Sequence, residues 1–227
     1  MAEFILAIAV FIASHLIPAI APLRGGLVKI IGERGFIIAF STLSTAIIIW
    51  LGFAFAAAPY IELWEPSEWS RWVPAISMPI ACILTVTGFT SRNPFSLGGG
   101  AGGYDPQNPG IVSVTRHPVL WALAIWSGSH IAPNGDMAAA LLFGLFVALC
   151  LIGIMTIERR RRVRMGEAQW QALSALNSII PFAAALTGKT SIDWEHFCGW
   201  RLIAGLALYA TLFYGHEYVI GITPNIF

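Results

Sequence analysis

The stretch Thr115–Asp136, TRHPVLWALAIWSGSHIAPNGD, decides the fold class of this chain. It begins on Arg-His-Pro, continues as an apolar run that contains His130, and ends in an Asn-Gly-Asp turn. Proline at a first helical position favours a helix start, and an apolar run of this length predicts a membrane span. Ionisable residues inside a span are costly and usually face other helices, so His130 is a candidate functional residue.

The composition of the whole chain agrees with a membrane protein. Of its 227 residues, 57% are hydrophobic and only 11% are charged, whereas a soluble domain carries about 25% charged residues. The net charge of +1 gives no indication of nucleic-acid binding. The cysteines Cys82, Cys150 and Cys198 are isolated in sequence, so we expect buried apolar residues and no metal site from them.

Six stretches are long and apolar enough to cross a bilayer, which needs about 20 residues. They are Phe4–Leu23, Gly35–Ala58, Val73–Ser91, His117–Gly135, Met137–Ile157 and Leu202–Ile222. A further segment, Glu158–Pro181, has a basic start and apolar residues at helical spacing, which predicts an amphipathic helix along the membrane surface. We therefore predict an all-α fold: a polytopic bundle of about six transmembrane helices plus one cytoplasmic interfacial helix, in a single domain over residues 1–227.

The basic residues predict the orientation of the bundle. Twelve of the 13 lysines and arginines fall in connections on one face, and only Arg71 falls on the other. Because basic loops stay in the cytoplasm, we predict that both termini are periplasmic. The arginines at positions 159–162 and 164 lie on the cytoplasmic face, where we expect them to contact anionic membrane lipid.

Two connections have distinctive compositions. The outer loop Pro59–Trp72 is rich in aromatic residues, among them Trp64 and Trp69, as is typical of a membrane interface. The inner loop Arg92–Arg116 is rich in glycine and proline, and we expect it to be mobile. It contains the pattern GxGxxG from Gly98, but no strand precedes the pattern and no helix opens on it, which argues against dinucleotide binding.

Three histidines lie deep in predicted spans. His15 is about 17 Å from the outer end of its span, and His130 and His216 are about 20 and 22 Å from the inner ends of theirs. In a hydrocarbon core of about 30 Å, all three fall in the middle or outer half. Imidazoles from facing helices can hold a metal or a haem iron; a hydrogen bond to a backbone carbonyl is the alternative. No HExxH motif or carboxylate cluster indicates zinc or di-iron.

Arg116 and His117 lie at the cytoplasmic start of the fourth predicted span, where we expect them to reach water. A histidine and an arginine at a helix N-terminus suit a phosphate or carboxylate ligand. The alternative is that Arg116 extends to the lipid head groups and the pair merely marks the start of the helix.

Four segments, taken in order, resemble the NnrU family of bacterial membrane proteins. They are Ser14–Arg24 (SHLIPAIAPLR), Ile31–Phe36 (IGERGF), Thr115–Asp136, and Glu158–Gly188 (ERRRR…GEAQW…SIIPFAAALTG). The plant and cyanobacterial 15-cis-ζ-carotene isomerases are similar to the same family. The resemblance implies a haem b protein of the bacterial inner membrane, linked to nitrite and nitric oxide reduction (denitrification) or to haem-dependent cis–trans isomerisation of a lipophilic polyene.

The resemblance also implies site residues. The haem ligands of the isomerases match His15 and His130, which are therefore the predicted metal ligands, and His216 remains a third candidate. The other predicted cofactor contacts are Arg24, Arg116 and His117. Ser127 stands where the isomerases have a cysteine proposed as an exchangeable ligand, so the resemblance does not carry a redox-driven ligand switch over to this chain.

A shorter resemblance leads to a different class of protein. Arg-His-Pro, a helix pair, a glutamate with a basic run and a Gly…Trp…Ile-Pro-Phe segment are similar to isoprenylcysteine carboxyl methyltransferases. This resemblance implies S-adenosylmethionine bound by His117, Glu158, Arg159 and Arg162, and a lipophilic acceptor. A third alternative is a non-catalytic assembly or haem-handling factor for a respiratory reductase, with the loop around Trp64 as its partner surface. The sequence leaves these alternatives open.

Overall fold

A computed structural model describes residues 1–16, 21–98, 100 and 102–224. Within these ranges the regular elements are helices, which confirms the all-α prediction. The α-helices are α1 (Ala2–Leu16), α2 (Ala21–Ala56), α3 (Trp72–Thr90), α4 (Pro118–Asn134), α5 (Met137–Met165), α6 (Glu167–Ser174), α7 (Ala183–Leu186), α8 (Trp194–Cys198) and α9 (Trp200–Ile220). Short 3-10 turns occur at Glu68–Arg71 and Gly110–Ser113.

Three of the described helical segments are long and apolar enough to cross a bilayer. They are Pro22–Ala56, Glu68–Thr90 and Met137–Met165. Large apolar side chains such as Ile38 and Phe53 are more than half exposed on them, which fits helix faces that contact lipid instead of water. The chain is therefore an all-helical membrane protein.

The other predicted spans agree less fully with the helices. α1 ends at Leu16, and residues 17–20 lie outside the described residues, so the span Phe4–Leu23 is tested only in part. α4 has 17 residues, or about 25 Å, which is less than a hydrocarbon core of about 30 Å. α9 has the length of a span, but His216 and Glu217 make it less apolar. That α1, α4 and α9 cross the membrane stays a prediction.

The structure corrects the predicted surface helix Glu158–Pro181, because residues 158–165 belong to α5. α5 continues without a break through the arginine run to Met165, because arginine is a strong helix former. The helix ends at Gly166, whose φ of 80° lies in the left-handed region that glycine tolerates. The separate helix α6 then has only eight residues, of which Trp170 is buried.

The two ends of the inner loop Arg92–Arg116 are packed, at residues 93–96 and 110–115, so the expectation that the loop is mobile is wrong for these ends. Asn93, Phe95 and all residues from 111 to 115 are at most 2% exposed. Phe95 and Ile111 belong to one hydrophobic cluster, whose other members are Leu84, Val112, Val114, Ala122 and Trp170. These two ends of the loop are thus part of the core that supports the start of α4.

The structure divides into two compact units. Unit 1 consists of Met1–Glu65 and Gly135–Leu142. In it α1 runs antiparallel to α2, because Phe4 near the start of α1 contacts Phe55 and His15 near its end contacts Phe40. The two chain segments of this unit are joined by backbone hydrogen bonds, such as the one of 2.8 Å from the amide of residue 63 to the carbonyl of residue 135.

Unit 2 consists of Pro66–Asn134 and Phe143–Phe227. In it α3 packs against both α4 and α9. Glycines allow this close approach: a Cβ at Gly88 would meet Val119 of α4, and a Cβ at Gly205 of α9 would meet the backbone of Ile83.

Candidate functional site

A buried ionic cluster lies beside the start of α4. Both carboxylate oxygens of Glu158 accept hydrogen bonds from Arg116, at 2.9 Å from Nε and 3.1 Å from Nη2. The same carboxylate lies 2.8 Å from Nε2 of His117. The side chains of Arg116 and Glu158 are 11% and 13% exposed, and that of His117 is fully buried. An arginine–carboxylate pair with two hydrogen bonds fixes the orientation of both side chains in addition to pairing their charges.

Polar groups from two other segments complete the cluster. Asn177 accepts a hydrogen bond of 3.0 Å from Nη1 of Arg116, and the side-chain amide of Asn93 donates to the backbone oxygen of Arg116 at 2.9 Å. Nδ1 of His117 lies 2.8 Å from the hydroxyl of Ser96. The buried charges are therefore paired and hydrogen-bonded, which is the condition under which a folded protein tolerates them.

Aromatic side chains cover the guanidinium of Arg116. Its Cζ atom lies 5.7 Å from the ring centre of Phe95 and 5.6 Å from that of Trp170, which places the cation where an aromatic ring attracts it. Tyr104 packs edge-to-face against Phe95, and its buried hydroxyl lies near the side chain of Asn177. This burial raises the pKa of Tyr104 to about 12, so its hydroxyl is neutral at physiological pH.

These contacts correct one expectation about His117. The ring does not reach water, because the packed inner loop covers it. Of the contact set implied by the methyltransferase resemblance, the structure brings together His117 and Glu158, whereas Arg159 is exposed and Arg162 pairs with Glu167. A ligand at this cluster would have to displace hydrogen bonds that already satisfy the Glu158 carboxylate.

His130 lies in α4 among aromatic rings, with ring-centre distances of 5.8 Å to Trp126 and 5.2 Å to Phe143. Its Nδ1 is 2.6 Å from the backbone oxygen of Trp126, one helical turn earlier. Only an N–H can donate to a carbonyl, so the neutral ring carries its proton on Nδ1 and a lone pair on Nε2. Within the described residues, Nε2 has no hydrogen-bond partner.

His15 has the same arrangement in unit 1. Its Nδ1 is 2.8 Å from the backbone oxygen of Phe11, and Nε2 again has no hydrogen-bond partner in the described part of the chain. The serines before the two histidines, Ser14 and Ser129, donate to the same carbonyls at 2.8 and 2.9 Å. Both segments read Ser-His-X-X-Pro, at residues 14–18 and 129–133, a repeat that our sequence analysis missed.

His216 differs from this pair. No serine precedes it, and its Nδ1 is 2.6 Å from the backbone oxygen of Ile222, beyond the end of its helix. Within unit 2 the helices of His130 and His216, α4 and α9, pack against the same helix α3, so His216 remains the third candidate.

Arg24 is linked to His15 through a row of aromatic rings in unit 1. The guanidinium forms an ion pair with Glu33 and lies 5.3 Å from the ring centre of Phe36. The rings of Phe36 and Phe40 stack 6.1 Å apart, and that of Phe40 lies 5.9 Å from the ring of His15. Among the predicted cofactor contacts, Arg24 is therefore connected to the candidate ligand His15 by ring contacts within unit 1.

These features define an all-helical integral membrane protein with hydrogen-bonded histidines inside its helices and a buried ionic cluster. The family described as NnrU protein matches residues 3–224, so the chain belongs to the NnrU family, as its motifs predicted.

Two chloroplastic 15-cis-zeta-carotene isomerases are also similar to parts of the chain. The one from Arabidopsis thaliana is 30% identical over 88 residues, or 39% of this chain, and the one from Zea mays is 30% identical over 87 residues, or 38%. In each case the match spans 24% of the relative, so the chain covers about a quarter of the length of these proteins. No solved structure matches the chain significantly.

Proposed function

We propose that this chain is a haem b protein of the bacterial inner membrane, with both termini in the periplasm and with His15 and His130 as the residues that would hold the haem iron. The supporting observation is the repeated Ser-His-X-X-Pro segment, in which Nδ1 is held by a backbone carbonyl and Nε2 keeps its lone pair. Histidines that bind metals usually donate their other ring N–H in this way, which fixes the ring and increases its basicity.

The surroundings of the two rings fit a haem better than other metal centres. Phe11 and Phe40 contact the ring of His15, and Trp126 and Phe143 contact that of His130. Apolar rings exclude water and provide contact area for a flat macrocycle. Among the described residues there is no group of three or more His, Cys, Asp or Glu that could hold a bare metal ion, whereas a haem needs only one or two axial ligands.

The similarity to the carotene isomerases supports cis–trans isomerisation of a lipid-soluble polyene as the reaction. A bound haem would supply a redox-active iron for this reaction, which is redox-neutral overall. Nitrite or nitric oxide reduction at the same iron would in addition require an external electron donor. The backbone carbonyls of Phe11 and Trp126 would orient Nε2 of each histidine, and the surrounding aromatic side chains would keep water away. Ser127 would take no part as a ligand, because its buried hydroxyl donates to the backbone oxygen of Leu123 at 2.6 Å.

Optical spectra of the purified protein test the proposal. We expect wild type expressed with ample haem to show a b-type spectrum when oxidised and when reduced with dithionite. His15→Ala and His130→Ala should each lose haem or become high-spin, because each removes a ring nitrogen that would bind the iron. His216→Ala is the matched control: it also removes a histidine from an apolar helix, and it should keep the low-spin spectrum.

The possible outcomes test haem binding and the identity of the ligands separately. A colourless wild type would contradict the haem proposal. Low-spin spectra in both His15→Ala and His130→Ala would contradict the ligand pair. A spectrum lost in His216→Ala and kept in His15→Ala would assign the pair to His130 and His216.

A further inference from the structure

α5 is longer than a bilayer requires. Its 29 residues extend about 43 Å, against a hydrocarbon core of about 30 Å. The first 20 residues, Met137–Thr156, contain no Lys, Arg, Asp or Glu and suffice to cross the core. The remainder of the helix contains five arginines, so α5 carries them into the head-group layer of one leaflet.

Two of these five arginines are bound within the protein. Arg161 lies on the inward side of α5 and is 3.4 Å from the backbone oxygen of Ser96. Arg162 forms a two-point ion pair with Glu167, with both N–O distances at 2.6 Å. The hydrogen bonds from Arg162 lower the pKa of Glu167 to about 2, as expected for a carboxylate held by a guanidinium.

The other three arginines, Arg159, Arg160 and Arg164, are exposed and make no ion pair or hydrogen bond with any described residue. They lie on the exposed surface of α5, on which the apolar residues Leu151, Ile152 and Met155 are also exposed one to three turns earlier. We call these six residues the α5 lipid face. Arg161 differs from these three arginines because it falls on the same side of the helix as the buried Ile154.

We propose that the α5 lipid face binds an acidic phospholipid, with an acyl chain along Leu151, Ile152 and Met155 and a phosphate held by the three arginines. Charge complementarity favours this ligand, since three unpaired guanidinium groups bind phosphate oxygens in a fork geometry. The order of the residues also fits. The apolar residues lie nearer the bilayer centre, and positions 159 to 164 extend over about 7.5 Å, similar to the head-group layer of one leaflet. The proposal does not depend on haem binding.

Native mass spectrometry of the full chain in detergent tests the proposal, with phosphatidylglycerol and phosphatidylcholine of identical acyl chains as probes. We expect wild type to prefer phosphatidylglycerol by at least tenfold. Arg160→Gln should weaken phosphatidylglycerol binding roughly fivefold, because each arginine at a membrane surface contributes about that factor. Arg162→Gln removes the same charge two positions away, from a group already paired with Glu167, and should change binding less than twofold.

The triple variant Arg159→Gln, Arg160→Gln and Arg164→Gln should abolish the preference for the acidic lipid while keeping the helical circular dichroism spectrum. Equal losses in Arg160→Gln and Arg162→Gln would overturn the proposal, because binding would then follow net charge alone. Displacement of the lipid by millimolar inorganic phosphate would overturn it as well, since the three arginines would then be a site for free anions.

Discussion

Glu158→Ala is expected to destabilise the protein by about 3–5 kcal/mol, the cost of removing one partner from a buried ion pair. The variant leaves the Arg116 guanidinium, 11% exposed, without a counter-ion, and also removes the partner of Nε2 of His117. Arg116 connects the start of α4 to the segment around Asn177, so we expect both to loosen together. The free energy of unfolding can be measured by SDS titration in mixed micelles, followed by circular dichroism.

Glu167→Ala is the matched control for this experiment. It also removes a glutamate paired with an arginine, but the pair Arg162–Glu167 is exposed to solvent, and exposed ion pairs contribute little to stability. We therefore expect its unfolding curve to be close to that of wild type. Equal effects of Glu158→Ala and Glu167→Ala would contradict the structural role that we assign to the buried cluster.

A double substitution distinguishes a structural cluster from a ligand-binding one. Arg116→Met combined with Glu158→Leu replaces both charges with apolar groups of similar size, and such exchanges are often neutral for buried ion pairs. If the cluster is structural, the double variant should be more stable than Glu158→Ala and should keep the haem spectrum. Loss of the haem spectrum in a stably folded double variant would instead place the cofactor in contact with the cluster.

The sequence predicts helix position best where the apolar run has marked ends. The predictions Val73–Ser91 and His117–Gly135 each agree with α3 and α4 to within one residue at both ends. For α4, a proline and a glycine mark both boundaries. The end of α5 was predicted wrongly because hydropathy indicates where the chain leaves the apolar core of the membrane and not where a helix ends. Arginine marks the edge of the membrane core, but it is also a strong helix former.

The packed inner loop could not be predicted, because its burial depends on distant residues. The hydroxyl of Thr115 donates to the backbone oxygen of Ile179 at 2.7 Å, and the indole N–H of Trp121 donates to the same oxygen at 2.9 Å. These partners lie about 60 positions apart in the sequence. A loop rich in glycine and proline has the same composition whether it is mobile or folded closely onto a core.

The candidate site shows the same division between local and long-range information. The sequence identified Arg116, His117 and Glu158 as chemically notable residues, but it did not predict that they bind one another. The hydrogen bonds of His15 and His130 are local, since each joins a ring to a carbonyl four residues earlier. A search for internal repeats would have related these two histidines from the sequence alone.

Gly98→Ala is expected to destabilise the protein by about 4 kcal/mol, combining roughly 1–3 kcal/mol of backbone strain with a similar cost of overpacking. Gly98 has a φ of 133°, and a Cβ there would overlap the backbone oxygen of Gly88 in the last part of α3. Since a backbone atom cannot rotate away as a side chain can, the inner loop would have to leave α3. Asn93 and Phe95 would then lose their buried positions.

Substitutions at two nearby glycines distinguish backbone strain from overpacking. Gly100 has a φ of 82° but open space around a Cβ, so Gly100→Ala should cost only the strain, roughly 1–3 kcal/mol. Gly102 has open space and no unusual φ, so Gly102→Ala should be close to neutral. The expected order of unfolding free energies is therefore wild type and Gly102→Ala, then Gly100→Ala, then Gly98→Ala. A Gly98→Ala variant as stable as Gly102→Ala would show that the inner loop does not pack on α3, and the covered position of His117 would lose its structural explanation.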